Sequence, residues 1–430
     1  MKKLLLILLC LPMIGFGQNW EKTIQNGEPG INSLQQTSDG GYIFSGSLNN
    51  EGYVLKMDVF GNEEWSILTP SFWTKQGIVQ TVDGGYVYLS YANGGTYAVY
   101  KINSSGTTEW SQQSLFTNKI PQSIKPTNDG GYIISGQDNW TSPVVNGSFL
   151  IKLDALGNQQ WIKYYQNNSC NDWDGVDGSD VQQTSDGGYV LGCYCDNFSL
   201  DEKKAKIVKT DALGNEQWNN TYNTGSNHLL YNKIEQTADG GYALCGWIRD
   251  NSSNANLNFI KVNSSGALEW NNTYGDFFNS GLIYSVGTSF QQTNDGGYII
   301  TGQDLSDYAI GGSEGTLLLL KLNSNGSEQW YKFYGGLDTI SVGASVRQTS
   351  DNGYIISGRS NNSDETFVCI NIIKTDFQGN ITSSFNIPVN TNRKLEKTVD
   401  ILGKETKLQT NTPLIEIYDD GTVEKRIVVD

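Results

Sequence analysis

Few residues in this chain have chemistry to offer, and several of them cluster. Residues 171–180 read Asn-Asp-Trp-Asp-Gly-Val-Asp-Gly-Ser-Asp, so that Asp172, Asp174, Asp177 and Asp180 put four carboxylates into nine positions. Hard oxygen ligands packed closely around glycine suit Ca2+. The run departs from the EF-hand spacing and lacks its closing Glu, so it reads more readily as a solvated acidic loop. Ca2+ is the one cofactor suggested. Trp140, Trp173 and Tyr308, with Asp304, form a second candidate set. Exposed aromatics beside a carboxylate are common anchors for sugars and proteins, and the alternative is that they pack against neighbouring loops.

The remaining reactive residues exclude more than they suggest. His occurs once, at His228, which rules out a His-cluster metal site and most acid–base or triad schemes. No phosphate-binding glycine loop, nucleophile elbow or zinc motif occurs. Beyond Cys10, the five cysteines are Cys170, Cys193, Cys195, Cys245 and Cys369. An odd count leaves at least one thiol outside any intramolecular pairing. Cys193 and Cys195 share one face of a strand and are badly placed to bond each other, so buried free thiols are the expectation. The net charge of -16 opposes binding to nucleic acid or to an anionic membrane, both of which need a Lys/Arg surplus. An acidic, solvated surface instead keeps the protein soluble.

Positioning these residues falls to an internal repeat. A turn of the form Asp-Gly-Gly-Tyr recurs at Asp39, Asp83, Asp129, Asp186, Asp239 and Asp295, with the variant Asp351-Asn352-Gly353-Tyr354. Each is followed by an apolar strand ending in Lys and a polar turn with Gly, and the first six then by Trp. The Trp series is Trp20, Trp65, Trp110, Trp161, Trp218, Trp270 and Trp330. One repeat spells four short strands; in the third they are QSIKP, YIISG, FLIKLD and QQWIKYY. Glycine supplies the positive φ of the first turn, and Asp or Asn caps the second through its side chain.

Four antiparallel strands repeated seven times predict an all-β, seven-bladed β-propeller of four-stranded blades, with a small C-terminal β segment. Trp20 opens a strand of the fourth type ahead of the first turn, while the seventh repeat has no Trp in that place. The N-terminal strand is therefore expected to supply or reinforce the outer strand of the last blade, unless residues 380–387 complete it. Both glycine turns fall on one face of such a ring. The segments of variable length, such as 137–148, 166–180, 303–315 and 334–343, fall on the other, where binding is expected. The recurring Trp and Tyr rings are expected between blades.

The two ends read as export signals. Met1-Lys2-Lys3, an apolar run from Leu4 to Phe16, and small residues at Gly15 and Gly17 describe a signal peptide cut between Gly17 and Gln18. The apolar run is too short to span a membrane, and no other stretch could. The expected domains are 1–17, the signal peptide; 18–387, the propeller; and 388–430, a linker and terminal β segment.

In that last segment, Asp400-Ile401-Leu402-Gly403-Lys404-Glu405, Asn411-Thr412-Pro413 and Ile417-Tyr418-Asp419-Asp420-Gly421-Thr422-Val423-Glu424-Lys425 resemble the C-terminal sorting domain of type IX secretion cargo in Bacteroidetes. The resemblance covers about 38 residues (Arg393 to Asp430). It implies the type IX machinery as a partner, export across the outer membrane, and a sorting motif at Asp419, Asp420, Gly421 and Lys425. The repeat array resembles the Asp-Gly-Gly-Tyr proteins of exported bacterial and archaeal surfaces, a likeness that implies no defined reaction. The turn ending in Trp161 also resembles the tryptophan-docking repeat of quinoprotein dehydrogenases, without that family's adjacent cysteines, and is taken as shared blade mechanics.

Three functions fit this sequence. One is a secreted or surface-attached binding scaffold for an extracellular glycan or protein. The others are an extracellular hydrolase or lyase with carboxylates in the central channel, and a structural envelope protein.

Overall fold

The computed structural model describes residues 20–24, 30–48, 51–69, 71–73, 77–92, 96–138, 147–165, 176–197, 202–222, 228–249, 255–275, 285–304, 316–334, 339–362, 368–381, 395–400, 404–406, 413–418 and 423–427. The chain divides into two compact units, 1–382 and 383–430.

The first unit is a β-propeller of seven antiparallel blades. In the third blade the strands are Lys119–Pro126, Tyr132–Asp138, Ser148–Leu153 and Gln159–Tyr165, paired in chain order. Three of the expected strand segments fall inside these, while FLIKLD overruns its strand by Asp154, which opens the following turn. The first strand of each blade lies innermost, because consecutive first strands touch around the ring. In the second blade the inner position is split between Ser71–Trp73 and Ile78–Gln80.

Sequence patterning follows depth in the blade. The second and third strands are buried almost without interruption, as in YIISG and SFLIKL. A blade packs on neighbours through both of its faces, so both faces of the middle strands are apolar. The fourth strand is half exposed, and in EEWSILT and EQWNNTY it alternates. Seven separate hydrophobic clusters result, one at each seam between blades. The last joins Ile355, Ile370 and Ile372 of blade seven to Leu34, Tyr42 and Phe44 of blade one.

The N-terminal strand closes the ring. Trp20–Ile24 pairs antiparallel with Val368–Thr375 as the outermost strand of blade seven, in the order expected. Strands from the two ends of the repeat array thus share one sheet.

Each inner hairpin turn is held by the same contacts. In the first, Gly40 takes φ +84°, a conformation open to glycine. Asp39 accepts from the Thr37 hydroxyl at 2.5 Å and the Gly41 N–H at 2.9 Å. A Cβ on Gly41 would lie 2.3 Å from the Met57 carbonyl oxygen, so the second glycine is required by close approach. In blade seven Asn352 takes the positive φ of 64°, which Asn tolerates better than most residues.

The second unit is a three-stranded antiparallel meander of Leu395–Asp400, Pro413–Tyr418 and Val423–Ile427. No described helix is long and apolar enough to cross a membrane.

Candidate functional site

The inner strands of the seven blades line a central channel, and the chemistry gathers at its end near the Asp-Gly-Gly turns. Aligning the strands on the Thr that precedes each turn gives three rings of side chains. The outermost ring, next to that Thr, is Gln36, Gln80, Pro126, Gln183, Gln236, Gln292 and Gln348. One position deeper stand Gln35, Val79, Lys125, Gln182, Glu235, Gln291 and Arg347. Two positions deeper again are Ser33, Gly77, Ser123, Asp180, Lys233, Ser289 and Ser345.

These side chains answer a backbone problem. An innermost strand has an open edge whose N–H groups face the channel. The glutamines cap them across the seams. Gln35 Oε1 accepts from the Gln80 N–H at 2.8 Å, Gln182 from Gln236 at 2.6 Å, and Gln291 from Gln348 at 2.7 Å. Glu235 serves the Gln292 N–H at 3.2 Å. The outermost ring reaches back to the previous turn, as where Gln80 accepts from the Ser38 N–H and Gln183 from Asn128. Pro126 has no N–H, and the position that would cap it is the apolar Val79.

Charge breaks the carboxamide pattern. Asp180 is buried and accepts the Ser123 hydroxyl at 2.5 Å, with the Lys125 ammonium 3.6 Å away. Lys233 Nζ stands 3.2 Å from Glu235, an ion pair whose geometry forms no proper hydrogen bond. Burial lowers the Lys233 pKa to about 7, helped by the nearby Arg347 and Lys125 charges and opposed by Glu235 and Asp180. Arg347 donates to the Val346 carbonyl. Among the described residues no carboxylate lies within ion-pairing distance of it.

Two cavities occupy this end of the channel. One, of about 330 Å³, is lined by Lys125 and Arg347 with Gln35, Gln36, Gln291 and apolar residues including Val79, and none of the described residues lining it is an acid. The other, of about 490 Å³, is lined by Glu235 with Gln182, Gln236 and Gln292, and none of the described residues lining it is a base. Gln291 borders both.

Of the residues singled out from sequence, Trp140, Trp173, Tyr308, Asp172 and Asp174 lie outside the described residues, as do Gly17, Gln18, Asp419, Asp420 and Gly421. Asp177 belongs to the inner strand Val176–Gln183, and Lys425 to the terminal strand. The inner strands run further than the variable segments suggested, taking in residues 176–180 and 339–343. Asp180 therefore sits inside the ring rather than in a loop. Asp304 is buried at 1% exposure and accepts the Ser285 hydroxyl at 2.5 Å from the paired strand. His228 opens the inner strand of blade five. Cys193 and Cys245 are buried, and the Cys193 thiol donates to the Lys206 carbonyl at 3.5 Å. Among the described residues no three His, Cys, Asp or Glu side chains converge as a metal site.

The channel residues Lys125, Lys233, Glu235 and Arg347 escape motif reasoning because each is single. A column alignment of the repeats would expose them as departures from Gln and Ser. The strand-ending lysines prove structural. Lys56, Lys101, Lys152, Lys209, Lys261, Lys321 and Lys374 are buried, each within 2.9 Å of the Asp of its own inner turn.

No protein-family description and no curated protein matches this chain. Among solved structures it is similar to a protein of unknown function from Bacteroides caccae, at 14% identity and TM-score 0.40, over 60% of this chain and 86% of that one. It is also similar to a luciferin-regenerating enzyme, at 9% identity and TM-score 0.41, over 84% and 98%. A prolyl endopeptidase is similar at 10% identity and TM-score 0.45, over 94% of this chain and 55% of that one.

Proposed function

We propose that this chain is an extracellular binding scaffold, exported through its N-terminal signal and the type IX route, whose ring holds a ligand rather than transforming one. The observation that carries the reading is the channel mouth. A rigid ring of carboxamides, each engaged in capping a neighbouring strand, presents a few charged side chains at fixed places on a closed scaffold. Such pre-organisation favours binding, because little side-chain entropy is lost on association.

The channel carboxylates are poor candidates for hydrolysis. Asp180 and Glu235 each face a lysine and accept a further donor. Their oxygens are taken up by these partners, which leaves neither carboxyl placed to give a proton to a leaving group. Export rests on the basic-apolar-small N-terminus and on the resemblance of residues 393–430 to sorting domains of type IX cargo. A compact three-stranded unit at 383–430 suits a tail read separately from the propeller. Trp140, Trp173 and Tyr308 would then add contacts to the ligand, with Ca2+ at Asp172, Asp174 and Asp177 as an accessory.

The test is a screen of the folded chain against immobilised glycans and extracellular proteins, with and without Ca2+. Saturable capture without turnover supports the reading. Release of a cleaved product, or no capture by a demonstrably folded chain, would count against it.

A further inference from the structure

In five of the seven inner strands the residue two before the conserved Thr can accept a hydrogen bond or faces no N–H that needs one. Gln35, Gln182, Glu235 and Gln291 cap the next strand, and Val79 precedes Pro126, which has no N–H to cap. Lys125 and Arg347 are the two exceptions. Both carry donors only. They stand where a carbonyl oxygen would otherwise meet the N–H of Gln183 and of Gln36. At each place a cation and a channel-edge N–H call for the same missing partner, an oxygen bearing negative charge.

Both cations line the 330 Å³ cavity, together with Gln36 itself, and none of the described residues lining it is an acid. Lys125 is already drawn toward Asp180 at 3.6 Å. Arg347 faces no carboxylate among the described residues, so it is the stronger of the two positions. The lining also includes the apolar residues Leu34, Ile78, Val79 and Pro126. The volume falls in the range of small-ligand sites.

We infer that this cavity binds a small organic carboxylate, its oxygens accepting from the Arg347 guanidinium and the Gln36 N–H while its carbon skeleton lies against Val79 and Pro126. A planar guanidinium matches a carboxylate through two parallel hydrogen bonds. The ligand's oxygen would do for the seam between blades seven and one what glutamine does at other seams. The site lies on the glycine-turn face, not on the face of variable loops. The inference rests on the scaffold reading for its biological sense, but its chemistry stands apart from it.

The deciding variant is Arg347→Gln, which restores the residue found at the equivalent place in blades one, four and six. It should fold, cap Gln36, and raise the melting temperature of the ligand-free chain. Titration calorimetry of the full chain with glucuronate, acetate and sulfate as probes should show saturable glucuronate binding. Acetate should be weaker, since it leaves the apolar residues uncovered, and sulfate weaker still, since it brings no carbon skeleton. Arg347→Gln should weaken glucuronate at least tenfold, and Lys125→Met by a smaller factor. Absence of binding by the unaltered chain, or equal binding by a folded Arg347→Gln chain, overturns the assignment. Sulfate binding as tight as glucuronate would also overturn it, by showing a bare anion site. Capture on glycan or protein arrays that survives Arg347→Gln would leave the scaffold reading intact even if this site fails. Glucuronate binding by a chain that captures nothing else would do the reverse.

Discussion

The indole of Trp20 lies against the Cα of Gly61, so close that a Cβ there would meet the ring at 2.8 Å. Trp20 belongs to the outer strand of the last blade, and Gly61 to the outer turn of the first. The same indole meets Tyr42 edge-on at 5.7 Å. The contact recurs at every seam: Trp65 on Gly106, Trp110 on Gly157, Trp161 on Gly214, Trp218 on Gly266, Trp270 on Gly326 and Trp330 on Gly379. The ring is therefore sealed by seven equivalent joints, one of which is made by the N-terminal strand.

Removing that joint should loosen the whole ring. Trp20 is half-buried, so Trp20→Ala should cost roughly 2 kcal/mol, below the 3–5 kcal/mol typical of a fully buried Trp. Urea denaturation checks this. An unchanged midpoint would mean that the seam between blades seven and one is held elsewhere.

The glycines of a single turn should separate by mechanism. Gly40 has φ +84°, and a Cβ added there would meet nothing within 4 Å, so Gly40→Ala faces backbone strain alone, about 1–2 kcal/mol. Gly41→Ala drives a methyl toward the Met57 carbonyl and the Lys56 ammonium, and should cost about 3 kcal/mol, the upper end for overpacking. Thermal melts of the two variants should rank in that order.

The pairs between buried lysines and the half-exposed aspartates of the turns predict acid sensitivity. Burial alone would raise the pKa of Asp129, but hydrogen bonds from Lys152, Thr127 and the Gly131 N–H outweigh it and bring the value down to about 2. Asp83, Asp186 and Asp239 behave alike. A depressed folded pKa gives stability that is present above the unfolded value near 3.8 and is lost as pH falls toward about 2. The melting temperature should therefore drop steeply between about pH 4 and pH 2. Asp129→Asn should cost about 1–2 kcal/mol at neutral pH, the carboxylate being half exposed and its pairing partly screened. Adding Lys152→Met should recover much of that loss, since it removes the stranded ammonium.

Lys233 predicts stability that grows on the alkaline side. Its folded pKa of about 7 lies below the ordinary 10.5. Between those values the unfolded chain holds the extra proton, so stability should rise with pH across that window. Lys233→Met should remove this rise and stabilise the chain at neutral pH, as judged by melts from about pH 6 to pH 10. A slope that persists in the variant would assign it to another group.

The architecture was legible because it is written seven times. The Asp-Gly-Gly turns, the strand-ending Lys and the Trp each recur, and a residue that recurs once per blade serves the joint between blades. The strand-ending lysines show the limit of this reading. Their periodicity was visible, but that each would be buried against the Asp of its own turn depended on the hairpin bringing Lys56 beside Asp39. The channel chemistry was less legible for the opposite reason. Arg347 and Gln36 stand 311 positions apart and become neighbours only when the ring closes, and each charged channel residue occurs at its ring position only once. Asp180 was read with the acidic run before it, whereas strand pairing turns it toward Ser123 of the previous blade.

Everything assigned to the channel depends on that closure by the N-terminal strand, and the most direct measurement is complementation in trans. A chain lacking residues 18–25 should melt well below the intact chain. A synthetic peptide of residues 18–26 should bind it one to one and restore the melting temperature, while a peptide carrying Trp20→Ala should not. If the shortened chain melts like the intact one and ignores the peptide, the ring is closed by another segment and the account is wrong.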